Sequence, residues 1–134
     1  MSKKNIILLV SISIITFYSY SGYSTTYSVY NISQDIPMGE KDEILAKNYY
    51  VNIGQLQGIQ PGTILDVYRT ISSLDPYSNN IRYNHDVKIG ELLVVHSEKN
   101  SSITSLKQLI ANTNIYFEID SVIIGDQVQV KTTN

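Results

Sequence analysis

The chain has 134 residues, eleven tyrosines, no cysteine, no tryptophan and a net charge of −2. That length suits one domain and not two. The missing cysteine excludes disulfide staples, thiolate zinc sites and the lipid-attachment cysteine of a bacterial lipoprotein.

The first segment, MSKKNIILLVSISIITF, carries Lys3 and Lys4 ahead of an uncharged apolar run from Ile6 to Phe17. Small residues follow in YSYSGYS. This three-part order predicts a secretory signal peptide over residues 1–24. Cleavage after Ser21 and cleavage after Ser24 both fit the small-residue rule. The apolar run is roughly 12 residues, short of the ~20 that span a bilayer. The expected location is therefore periplasmic or secreted, with membrane contact only through the export segment. Without that segment, eight lysines and arginines stand against twelve acids, a balance of −4. The basic residues are scattered, so neither nucleic acid nor an anionic membrane is an expected partner.

Strand-forming residues dominate the remainder, and no amphipathic helical rhythm persists beyond about two turns. Thr25 to Ser33 reads as a first strand or an ordered arm, with Tyr27, Val29 and Asn31 on one side. Gln34 to Glu43 is a loop, because Pro37 does not suit a central strand. Residues 25–46 are thus an arm or first strand ahead of a barrel spanning 47–134. Lys47 to Gly54 is a strand with Tyr49, Val51 and Ile53 on one face. Thr63 to Ile71 is the next, with Leu65, Val67 and Arg69 opposed to Ile64, Asp66 and Tyr68. Ser72 to Asp86 reads as a loop or loose hairpin end, from Asp75-Pro76 and Asn79-Asn80. Val87 to Lys99 is the strongest strand, and Gly90 within it marks a bulge or bend. Ser101 to Ile110 pairs with it, with a short helix over Thr104 to Ile110 as the rival. Gly125-Asp126 makes a turn before Val128 and Val130. The fold class is all-β: a small antiparallel barrel of five to six strands.

The stretch NIGQLQGIQPGTILDVYR spaces Gly54, Gly58 and Gly62 evenly. A phosphate loop needs Lys and a hydroxyl residue after its last glycine, opening a helix. Here Thr63, Ile64 and Leu65 open a strand instead. The glycines therefore serve turns. Gly54 ends the strand, Gly58 takes a positive φ, and Pro61-Gly62 forms a type II turn. Leu56 and Ile59 plug the open end of the barrel.

Chemistry-bearing residues do not converge in sequence. His85 and His96 lie roughly 30 Å apart if their strand is extended, so neither metal nor cofactor is expected. No serine sits in a nucleophile elbow. Glu91, Glu98, Glu118 and Asp120 leave a two-carboxylate pair open, and nothing singles one out, so the chain is read as non-enzymatic. Arg69 and Glu91 are placed to form an ion pair across neighbouring strands. Tyr49, Tyr50, Tyr68, Tyr77, Tyr83 and Tyr116 offer either barrel wall or a binding face, with Tyr50, Tyr68, Tyr77 and Tyr83 the surface candidates.

The order of motifs resembles the C-terminal domain of the bacterial flagellar assembly protein T. It is carried by Gly54, Gly58, Ile59, Gly62, Val67, Tyr68, Arg69, the IGEL run Ile89 to Leu92, Ser101, Ser102, Gly125, Asp126 and Val128. The likeness covers about Tyr49 to Val130. A related glycine pattern resembles the periplasmic barrels of the rod-shape-determining protein C. The chain departs in having only a short stretch before the barrel and a longer segment over 107–122. The resemblance implies an assembly module that binds an envelope protein of the flagellar basal-body kind. A cell-wall glycan-binding module is the alternative.

Overall fold

The computed structural model describes residues 25–110 and 119–133. The signal-peptide reading, Tyr116 and Glu118 lie outside the described residues. Six strands follow one another: β1 Tyr27–Gln34, β2 Lys47–Val51, β3 Ile64–Asp75, β4 Ile81–Ser97, β5 Ser102–Leu109 and β6 Gln127–Val130. All their pairings are antiparallel, and they close a ring in the order β1-β2-β5-β4-β3-β6. The expected all-β barrel is present, with six strands. β5 is a strand along its length, because it bonds to β2 on one side and β4 on the other. The helical alternative for Thr104 to Ile110 does not occur.

The alternation of the sequence builds the core. Tyr49, Val51 and Ile53 turn inward together, as do Leu65 and Val67, and all are 3 % exposed or less. Val29, Leu92, Val94 and Val128 meet them from the other strands. Burying each such side chain stabilises the fold by about 1.5–3 kcal/mol. β5 also sends two hydroxyls inward. Thr104 donates to the Tyr49 carbonyl (2.9 Å) and Ser102 to the Ile53 carbonyl (2.7 Å), so neither buried group is left unpaired.

Several expectations are corrected. Of the two readings of the segment ahead of residue 47, the first strand holds and the arm does not: β1 is a member of the ring, so the barrel begins at Tyr27. A bulge between Val29 and Asn31 shifts its face, so Ile32 and not Asn31 packs on the core. The loop after β1 is as expected, closed where Asp35 N–H donates to the Ala46 carbonyl. Gly90 does mark a bulge. Val67 pairs with Gly90 and Tyr68 with Lys88, leaving Ile89 as the extra residue.

The glycine loop is also revised. Gly58 has φ 81° and Gly62 φ 95°, and Thr63 N–H donates to the Gln60 carbonyl at 3.0 Å. The expected turn at Pro61-Gly62 is therefore present. Gly54 is different. Its φ of −148° is ordinary extended backbone, so it is not required for a turn. A Cβ there would lie 2.6 Å from Ser101 N and 2.8 Å from the Lys99 carbonyl oxygen. The backbone of residues 54–57 is laid along the turn between β4 and β5, and Gln55 and Leu56 donate to the Glu98 and Lys99 carbonyls. That seam leaves Leu56 70 % exposed while Ile59 is buried. Only Ile59 plugs the barrel.

Of the two readings of Ser72 to Asp86, the hairpin end holds and the loop does not. β3 and β4 stay paired out to Asp75 and Ile81, and only residues 76–80 turn. Asn79 and Asn80 take φ 54° and 57°, and Ile81 N–H donates to the Ser78 carbonyl. Those are the dihedrals of a hairpin turn that asparagine tolerates.

Candidate functional site

β6 pairs with β3 only as far as Tyr68, and β5 pairs with β4 only from Gly90 onward. Beyond those points Arg69–Asp75 and Ile81–Lys88 have backbone pairing only with each other among the described residues. The result is a two-stranded ribbon extending from the ring. Its register sorts the side chains. Arg69, Ile71, Ser73 and Asp75 share a face with Val87, His85, Tyr83 and Ile81. Tyr68, Thr70, Ser72 and Leu74 share the other with Lys88, Asp86, Asn84 and Arg82. The first face thus carries an apolar stripe of Ile71, Ile81, Tyr83 and Val87, and the second is mostly polar.

The four tyrosines read as a surface are divided by the structure. Tyr77, at the ribbon tip, is 96 % exposed, and Tyr83 on the apolar face is 49 % exposed. Tyr68 sits at the ribbon root on the polar face. Tyr50 lies on the barrel wall with its ring 6.3 Å from that of Tyr30. Tyr49 is core. Tyr77 and Tyr83 are the two that stand exposed on the ribbon beyond its root.

The expected ion pair between Arg69 and Glu91 does not form. Arg69 instead grips Asp126 with two parallel bonds, Nε to Oδ1 and Nη2 to Oδ2, both 2.8 Å. Nη2 also donates to the Ser121 carbonyl, and Asp126 accepts from the Ile123 N–H. Asp126 is therefore more than a turn residue. It fastens the chain before β6 to the base of the ribbon, next to Gly125, whose φ of 97° makes the expected turn.

Glu91 belongs to a separate cluster on the outer wall. It pairs with Asp66 across β3 and β4, and both acids are buried. Lys131 Nζ donates to Glu91 Oε1 at 2.6 Å and Lys88 at 3.3 Å. Lys107 Nζ lies 3.6 Å from Oε2, and Lys88 also lies 2.9 Å from Asp66 Oδ1. The bond from Lys131, aided by Lys88 against the opposing effect of burial, holds the Glu91 carboxyl down at about 2. The bond to Asp66 raises the Lys88 ammonium above its usual range. Such an acid stays ionised and such a lysine stays protonated at neutral pH. Neither suits proton transfer there. The cluster acts as a staple joining β3, β4, β5 and the residue after β6. No local signal announces it, because Lys131 and Glu91 are forty residues apart. The same holds for Arg69 and Asp126, fifty-seven apart.

The remaining candidates stay separate. His96 is exposed and meets Glu98 at 2.8 Å. His85 is on the ribbon, and the two histidines lie on one continuous strand. Among the described residues no group of three or more His, Asp or Glu is placed to hold a metal. A depression of about 440 Å³ lies where β1 meets β6, lined by Thr25, Thr26, Tyr27, Gln57, Gln127 and Gln129 among others. Its polar groups are neutral amides and hydroxyls. No protein-family model matches the chain, and no curated protein matches it.

Proposed function

We propose that the chain is a non-enzymatic assembly module of the cell envelope that binds a protein through the apolar face of the β3–β4 ribbon. The observation that carries this reading is the exposure of Tyr77 and Tyr83 beside Ile71, Ile81 and Val87 on an element that contributes little to the core. Tyrosine suits such a face because its ring gives contact area while its hydroxyl stays wet. The leader-like first segment and the likeness to the flagellar assembly domain support an envelope partner of the basal-body kind. The test is capture of detergent-solubilised envelope proteins on the immobilised chain, run beside Tyr77→Ser and Tyr83→Ser. Recovery of basal-body or ring proteins by the wild type and their loss with both variants is the expected result. Equal recovery by all three, or recovery of no envelope protein, overturns it.

The neutral depression between β1 and β6 supports a second reading, a glycan-binding module. Amides, hydroxyls and the ring of Tyr27 are groups that fix and stack on sugars. Retention on purified peptidoglycan that falls with Gln127→Ala or Gln129→Ala would favour it over the first.

A further inference from the structure

The outer edge of the ribbon on the β4 side has no backbone partner among the described residues from Ile81 to Lys88, since the pairing with β5 ends at Gly90 and the bond from Ile110 N–H to the Ile89 carbonyl. An exposed edge is a template for another strand. We infer that its partner is the same edge of a second copy of this chain, joined antiparallel about a two-fold axis through Asn84. The inference does not rest on the envelope-protein reading, which uses the face of the ribbon and not its edge.

Charge selects both partner and register. In a two-fold antiparallel pair, facing residues come from the same side of the ribbon, so their numbers differ by an even step. With Asn84 on the axis, Arg82 faces Asp86 of the second copy, and Asp86 faces its Arg82. Tyr83 faces His85, and Ile81 faces Val87. Opposite charges and apolar pairs directly across a strand pair both stabilise it. Neighbouring registers lose this. Moving the axis to His85 sets Arg82 against Lys88, a like-charge pair. Moving it to Tyr83 sets Arg82 against Asn84 and Ile81 against His85. Placing it on Arg82 or Asp86 sets that charge against itself. Only the Asn84 register matches every charge within Ile81–Val87 of both copies.

The same charges oppose unrelated strands, so the edge is closed to indiscriminate pairing while open to itself. Pairing makes a four-stranded ribbon between two barrels. An axis perpendicular to that sheet puts both copies of the Ile81, Tyr83 and Val87 stripe on the same side.

The test uses the chain expressed from its full sequence and purified as it accumulates. Sedimentation equilibrium should give a dimer. Arg82→Asp and Asp86→Arg should each weaken it by at least about tenfold, since each sets like charges together twice. The double swap, Arg82→Asp with Asp86→Arg, should restore it. Far-UV circular dichroism and melting of each variant check that folding is unchanged. The absence of native cysteine adds a geometric test. Directly opposed residues have Cβ atoms about 4.5–5.5 Å apart, near disulfide reach. Asn84→Cys should therefore form an intermolecular disulfide under mild oxidation. Ser72→Cys should not, because it lies on β3, one strand further from the axis. A monomeric wild type overturns the inference. So does a dimer indifferent to the charge changes, a double swap that fails to restore it, or equal cross-linking at both cysteine positions.

Discussion

Gly54 is held by its neighbours and not by its own dihedrals. The backbone of the turn between β4 and β5 occupies the space where a side chain would begin. Backbone cannot step aside as a flexible side chain can, so Gly54→Ala should cost about 2–3 kcal/mol. Gly58 faces open space and is special only in its φ of 81°, so Gly58→Ala should cost only about 1 kcal/mol. Urea denaturation of the two variants compares them directly, and equal losses would refute the distinction. Glu91 shows the second residue-scale effect. Its carboxyl is held at about 2 in the folded chain against 4.5 when free. A group with a lowered folded value stabilises the fold fully above its unfolded value and loses that contribution as pH falls through the folded one. Melting temperature should therefore drop between about pH 4.5 and pH 2. Glu91→Gln should lower it at neutral pH and flatten that part of the profile. Melting curves across this range check both statements.

At the scale of elements, the clamp between Arg69 and Asp126 joins β3 to the turn that launches β6. Asp126 is buried, so removing its partner leaves a charge without compensation. Arg69→Ala should cost about 3 kcal/mol, measured by denaturant unfolding. Arg69→Lys should recover part of this, because an ammonium keeps the charge but not the two-pronged grip. Neither the clamp nor the lysine staple around Glu91 was legible in the sequence, since both depend on which strands become neighbours. The inward faces of β2 and β3 were legible, because Tyr49, Val51 and Ile53 alternate locally, as do Leu65 and Val67. Bulges were half legible. Gly90 signals one, while nothing in Val29-Tyr30-Asn31 shows that Tyr30 drops out of register. The ribbon was hidden by its composition. Ser72, Ser73, Asn79, Asn80 and Asn84 read as loop, although Ile81, Tyr83, His85 and Val87 keep the two-residue period of a strand. The turn chemistry of residues 75–80 is real, but the serines and asparagines on either side of it sit in paired strand. The surface tyrosines were half legible for the same reason: composition names them, and only the register shows which share a face.

For the whole molecule, the joints of the ring are unequal. β3 and β4 meet over twelve residue pairs, whereas β1 and β6 meet over two, Tyr27 with Val128 and Ser28 with Gln127. The joining residues lie about a hundred positions apart, so this is the least local joint of the ring and should close late. A chain still emerging from the ribosome holds β3 and β4 long before it holds β6. Until Gln127–Val130 are made, β1 and β3 each lack a neighbour and Asp126 cannot reach Arg69. The ring cannot close before Gln127–Val130 have been made. Without this last-joined strand the other five form an open sheet with β1 and β3 as its two bare edges, so β6 is the latch that turns a sheet into a barrel.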